Sequence, residues 1–303
     1  MMKKTQYNEW QIKIISFSKQ LPLISQFNSL FPGVDATIQQ AVDFRDVSER
    51  NLFENNLINM STYLSITEGR KWHREVNSKG AVGLAQANRI ALLDSKKYNK
   101  SILLCEDDCY ISKPEQFVNE ITQLLNNTSF FDIAVFGVKL FEKSDSHLDP
   151  VPFMPNGWYY LDENSHFWFT HCVLYTPEGR IKVGEHLKNE KLEMQIDGLY
   201  SYMNKLKIIK VIVQVTNISA IQTDHASSIQ TDHCTICDME PKMSQPPAKN
   251  IIINSNISNS NTLINGVNTF TLIGIFILII AIVFWKIKSK EFASDTNIFR
   301  GNV

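Results

Sequence analysis

A short apolar run, Ile102-Leu103-Leu104-Cys105, stops abruptly at three carboxylates, Glu106, Asp107 and Asp108, and no other feature constrains the fold of this chain as much. An apolar run without polar alternation suits a strand buried on both faces, as in layered α/β sheets. In open sheets of that kind, ligands bind outside the carboxyl ends of the strands. Three adjacent acids at such an end repel one another unless a cation offsets them. Hard divalent ions such as Mn²⁺ or Mg²⁺ take carboxylate oxygens and can bridge them to a diphosphate. Such an ion would neutralise the leaving diphosphate of a sugar nucleotide. The plainer alternative is an acidic surface turn that caps the next helix.

The flanking pattern fits a layered sheet. Residues 12–17 read as a first strand. Residues 83–95 carry Leu84, Ala87, Ala91 and Leu92 at helical spacing. Pro114 opens a second helix at its favoured first position, with Phe117, Ile121, Leu124 and Leu125 on one face. Residues 131–138 and 167–175 read as further strands. Strand–helix alternation of this kind predicts an α/β domain with a mostly parallel sheet and flanking helices. The chain's 303 residues leave ample length for a core, and its net charge of −1 gives no electrostatic reason to expect nucleic acid as a partner. The five cysteines, Cys105, Cys109, Cys172, Cys234 and Cys237, read as scattered rather than as a disulfide framework.

From residue 267 to residue 285 no side chain is charged. About 19 residues at roughly 1.5 Å each give ~28 Å, close to the hydrocarbon thickness of a bilayer. Trp285 stands where an interfacial aromatic would, and Lys286, Lys288 and Lys290 follow. A single membrane-spanning helix over 267–285 is therefore expected, the alternative being a buried core helix. Residues 238–266, with Pro241, Pro246, Pro247 and a run of Asn, Ser and Ile, read as a flexible polar stalk, and 286–303 as a short basic tail. The lysines after the helix place the tail in the cytosol. The opening Met-Met-Lys-Lys is not followed by an apolar segment, so no cleavable signal is expected to carry residues 1–237 across a membrane. These two arguments point in opposite directions, and sequence leaves the orientation open.

An ordered set of motifs resembles glycosyltransferase family 25, which includes bacterial lipopolysaccharide glycosyltransferases and procollagen galactosyltransferases. The set comprises Phe31-Pro32-Gly33-Val34-Asp35-Ala36, Lys79-Gly80-Ala81-Val82-Gly83 with its amphipathic helix, and the strand ending in Glu106-Asp107-Asp108. Residues 131–137, the aromatic stretch 167–179, Gln195-Ile196-Asp197-Gly198, and Gln222 with Ser227-Ser228-Ile229 follow in order. The resemblance spans roughly residues 12–232. It implies a GT-A-like fold and a nucleotide-diphosphate sugar as donor, from which a hexose passes to a hydroxyl of a glycan or protein. It implies that Asp35 lies near the donor nucleotide and that Gly80 and Gly83 belong to the donor-binding segment. Glu106 and Asp107 would hold the diphosphate, and Glu106 and Asp108 a Mn²⁺ or Mg²⁺ ion. Asp197 would line the acceptor side as a base. Its plainer alternative is a helix N-cap before Leu199 and Tyr200.

Two departures from the family pattern bear on activity. The family carries Ser-His where this chain has Ala87-Asn88, and the segment after the first strand, Ser16-Phe17-Ser18-Lys19-Gln20, lacks the family's Arg. Arg grips phosphate bidentately and Lys does not. A catalytically inactive relative, displayed on a membrane as a structural or binding module, is the alternative these departures raise. His225, His233, Cys234 and Cys237 form a second, weaker candidate site, for zinc.

Overall fold

The computed structural model describes residues 10–19, 21–69, 74–94, 99–141 and 148–223. The stalk, the apolar stretch 267–285, the tail and the His225–Cys237 constellation lie outside the described residues. Among the described residues, no helix is long and apolar enough to cross a membrane.

Seven strands form the central sheet. In chain order they are β1 (Trp10–Ser16), β2 (Ala36–Gln40), β3 (Ser101–Glu106), β5 (Ile133–Val135), β7 (Trp158–Tyr160), β9 (Cys172–Tyr175) and β10 (Val211–Gln214). Their spatial order is β2-β1-β3-β9-β5-β10-β7. The pairings β1–β2, β1–β3 and β5–β10 are parallel, whereas β9 runs against both β3 and β5 and β7 runs against β10. Five strands thus share one direction and two oppose it, so the sheet is largely parallel with an antiparallel strand inserted at its centre. Two small antiparallel pairs complete the strands: β4 (Cys109–Ile111) with β11 (Ala220–Gln222), and β6 (Lys139–Phe141) with β8 (His166–Trp168).

Both faces of the sheet are covered, which explains the unbroken apolar run of β3. Ile102 and Leu104 point to one core, and Leu103 and Cys105 to the other. The first core packs α4 (Lys79–Leu92), α6 (Pro177–Asn189) and α7 (Ile196–Lys205) against the sheet through Ala91, Val183 and Tyr200. Two shorter helices, α2 (Glu49–Glu54) and α3 (Met60–Glu68), precede α4 in the chain, and Leu52 of α2 joins this core. The second core packs α1 (Pro22–Leu30) and α5 (Pro114–Asn126) through Phe27, Phe117 and Ile121. Fully buried Arg180 donates to the carbonyls of Leu92 and Lys100, closing the C-terminal end of α4 with a cation where the helix dipole favours one.

Several expectations are corrected in detail. The strand expected over 131–138 is regular only over Ile133–Val135. The strand expected over 167–175 is two strands, β8 and β9, separated by a break at Phe169, whose φ is 83°. The helix expected from residue 83 begins earlier, where the Ser78 hydroxyl accepts from the Ala81 amide.

Candidate functional site

The chain leaves β1 toward α1 on one face of the sheet and leaves β2 toward α4 on the other. Neighbouring strand ends whose connections depart to opposite faces open a crevice, the usual ligand position in such sheets. Here the crevice is a cleft of about 490 Å³, part of it open solvent, lined by Ser16, Phe17, Val42, Asp43, Arg45, Gly80 and Asp107. A second cleft, of about 810 Å³ and partly open to solvent, is lined by Ser78, Trp168, Phe169, Thr170, Asp197 and Gln222. Glu106 and Leu84 line both, so Glu106 stands on the boundary between two adjoining clefts.

The acidic triplet is held from three directions. Ser16 at the end of β1 donates to Asp107 Oδ2 at 2.7 Å. Thr170, next to the break between β8 and β9, donates to Glu106 Oε1 at 2.9 Å. The β4–β11 pairing brings Gln222 back to the triplet, where its amide donates to Asp108 Oδ2 at 2.7 Å. The other Asp108 oxygen, Oδ1, is buried with no hydrogen-bond partner. Burial and the nearby Asp108, Asp197 and Asp107 charges push the Glu106 carboxyl up to about 8, against a weaker opposing pull from Thr170. Burial also raises Asp108, with Asp107 adding repulsion, while Gln222 and His171 act against the rise.

Asp197 is not a helix N-cap. Gln195 occupies that position, and Asp197 lies in the first turn of α7, facing the second cleft. Its Oδ1 accepts from the Gly198 amide at 2.7 Å, and the Phe169 backbone amide also favours its charged form. Burial dominates these bonds and lifts the carboxyl to about 6. Phe169 thus adopts a left-handed backbone conformation, uncommon for a bulky residue, at the point where its amide favours the charged form of Asp197 and its neighbour's hydroxyl reaches Glu106.

Glu106, Asp107, Gly80 and Asp197 therefore line the two clefts, Asp108 is tied to them through Gln222, and two other expected residues do not join them. Asp35 is exposed and immediately precedes β2, at the amino end of the strands, whereas the clefts lie at their carboxyl ends. Gly83 faces protein rather than ligand, since a Cβ there would lie 2.2 Å from the Val42 carbonyl oxygen. Its role is the close approach of α4 to the segment after β2. Asn88, one of the two departures, is buried in α4 and donates to the Leu84 carbonyl, away from either cleft lining.

Asp43 and Arg45, which sequence reasoning missed, line the first cleft just beyond β2. The Arg45 guanidinium pairs with Asp43, holding that carboxyl down to about 2, and lies 5.3 Å from the Phe17 ring centre. A guanidinium thus enters the crevice from the segment after β2 rather than after β1. The amino end of α4 also reaches both clefts through Ser78 and Gly80, and a helix amino end favours anions.

For a hard divalent ion the donor set is partial. The orphaned Asp108 Oδ1 and the raised Glu106 and Asp108 carboxyls mark a deficit of positive charge. Among the described residues, however, the acids do not bring three ligand oxygens to one point; the side chains that do converge are the thiols of Cys105, Cys109 and Cys172. This donor set fits an ion held by one or two carboxylates and completed by substrate phosphate, the usual mode for Mg²⁺, rather than a preformed cage.

No family model matches the chain, and no curated protein matches it. Among solved structures, mannose-1-phosphate geranyltransferase from Thermus thermophilus is similar at 10% identity and a TM-score of 0.35, over 70% of this chain and 76% of that one. Mannose-6-phosphate isomerase from Helicobacter pylori is similar at 10% identity and 0.34, over 71% and 100%. 4-Diphosphocytidyl-2C-methyl-D-erythritol synthase from Anaerococcus prevotii is similar at 11% identity and 0.34, over 75% and 96%. Likenesses of this size define neither a fold family nor a reaction.

Proposed function

We propose that the protein is a glycosyltransferase of GT-A-like fold that moves a hexose from a nucleotide-diphosphate sugar to a hydroxyl of a glycan or protein. The observation that carries the reading is the position of Glu106 between two clefts, one offering a guanidinium and a helix amino end, the other a buried carboxylate. The nucleotide and diphosphate occupy the first cleft, near Arg45, Ser16 and the amino end of α4. The sugar reaches past Glu106 toward Asp197.

Asp107 and Asp108, with Glu106 behind them, would hold a Mn²⁺ or Mg²⁺ ion that offsets charge on the departing diphosphate. Asp197 accepts the proton of the acceptor hydroxyl as that oxygen bonds the anomeric carbon. The carbon–oxygen bond to the diphosphate breaks, and its electron pair leaves with the diphosphate. A carboxyl near 6 is ionised at neutral pH and still basic enough to assist this transfer. The protein is expected to act at a membrane through residues 267–285.

The test is release of uridine diphosphate from UDP-hexoses by the full chain with Mn²⁺, acceptor sugars present or absent. Metal-dependent release that Asp108→Ala abolishes supports the reading, and an equal rate in that variant removes the assigned site. The carboxylate oxygens do not converge on one point, and this favours a second reading, an inactive relative used as a binding or structural module. Metal-dependent nucleotide binding without turnover of any UDP-hexose would select it.

A further inference from the structure

The three cysteines that sequence order separates come together beneath the acidic turn. Cys105 ends the apolar part of β3, Cys109 opens β4, and Cys172 opens β9 directly opposite Cys105. All three thiols are buried and unlinked, and their sulfurs lie within 4.8 Å of one another. The Cys105 and Cys172 sulfurs are 3.5 Å apart. Zinc–sulfur bonds of about 2.3 Å in a tetrahedron place thiolate sulfurs roughly 3.8 Å apart, close to this spacing. A disulfide would engage two of the three and leave the third without a role.

The residue next to Cys172 in the chain carries an unpartnered ring nitrogen. His171 is fully buried, its Nε2 lies 3.2 Å from the Ala220 carbonyl oxygen, and its Nδ1 has no hydrogen-bond partner. A proton on Nε2 directed at a carbonyl leaves the Nδ1 lone pair free, the arrangement by which outer-shell contacts set a histidine ligand's tautomer.

We infer that Cys105, Cys109 and Cys172 form a binding site for one zinc ion, whose fourth position is left to a further donor. Binding releases the thiol protons to solvent and involves no change of oxidation state. The ion ties together the two ends of the turn that carries Glu106, Asp107 and Asp108, because Cys105 and Cys109 flank that turn. It is separate from the hard-ion position, since thiolates select soft or borderline metals and the carboxylates hard ones.

The experiment is metal analysis of the full chain, purified with detergent and refolded with Zn²⁺, in a Cys234→Ser, Cys237→Ser background that removes the other candidate thiols. One equivalent of zinc is expected, together with a thiolate-to-cobalt charge-transfer band after Co²⁺ exchange. Cys109→Ala is expected to lose both. If Cys109→Ala does not fold, the cobalt band of the parent decides, because its intensity reports the number of thiolates bound. Three freely reactive thiols without metal, a Cys105–Cys172 disulfide, or zinc retained in folded Cys109→Ala would each overturn the inference. None of these readouts depends on nucleotide binding or transfer.

Discussion

The Thr170 hydroxyl donates to Glu106 Oε1 at 2.9 Å, so the break between β8 and β9 fixes the acid that separates the two clefts. The Phe169 amide at the same break favours the charged form of Asp197. One backbone irregularity therefore positions the carboxyl groups on both sides of the proposed reacting centre. Phe169→Gly should relieve the positive φ and leave stability unchanged or raise it by about 1 kcal/mol, while transfer falls because the aromatic ring that lines the second cleft is lost. Thermal unfolding and turnover, measured on the same sample, separate the two effects.

Glu106 makes stability pH-dependent. Its carboxyl lies near 8 in the folded chain against an ordinary value of 4.5, so over that range the folded state holds a proton the unfolded state has lost. Stability is then greatest below about pH 4.5 as far as this group is concerned, and it declines as pH rises toward 8. Glu106→Gln should flatten that decline and raise the melting temperature at pH 8 by a few degrees, with loss of transfer. Melting curves at pH 5 and pH 8 for both proteins check this.

Asp197 sets the expected pH profile of the reaction. Transfer should rise with pH through about 6 as its carboxyl ionises, and Asp197→Asn should remove that limb. The variant's rate should fall by about 10²- to 10⁴-fold, the range for loss of a general base. A profile of unchanged shape in Asp197→Asn would assign the proton to another group.

Gly83 carries a purely steric expectation. A methyl group there meets the Val42 carbonyl oxygen at 2.2 Å, and backbone on both sides must move to admit it. Gly83→Ala should destabilise by about 1–3 kcal/mol, as overpacking does. Because Val42 and Asp43 line the first cleft, nucleotide affinity should fall with it. Denaturant titration gives the first quantity and calorimetry the second.

Buried Glu120 accepts hydrogen bonds from Trp158, Gln214 and Ser219, linking α5 to β7, β10 and the segment before β11. Glu120→Ala leaves Trp158 Nε1 without its acceptor, while Gln214 and Ser219 keep only their longer contacts to each other and to Asn217, and should cost about 1–3 kcal/mol. Since β11 carries Gln222 to Asp108, the same change should loosen the acidic turn. Hydrogen exchange of the β4 and β11 amides would show it.

The parts of the fold that were legible in sequence are those where burial is complete. β1, β3, α4 and α5 bury continuous runs or wide apolar faces, and residues 101–106 and 114–126 form the elements their patterns imply. β2 was not legible. It is an edge strand of sequence Ala-Thr-Ile-Gln-Gln, half-buried, with no period to distinguish it from a loop. Asp35, which the family resemblance placed near the nucleotide, precedes this strand, whereas Asp43 and Arg45, which line the cleft, follow it. The break at Phe169 has no sequence signal either, because a positive φ is expected of glycine or asparagine rather than phenylalanine. The thiol cluster depends on strand register across 67 residues of chain, which spacing alone does not encode.

The most direct measurement is calorimetric titration of the full chain with uridine diphosphate, with and without Mn²⁺, in the parent and in Asp108→Ala. Tight binding that requires Mn²⁺ and disappears in the variant is the result expected if the acids at the end of β3 hold a cation and a diphosphate. Absence of nucleotide binding with Mn²⁺ present, or binding indifferent to both the ion and Asp108, would contradict it.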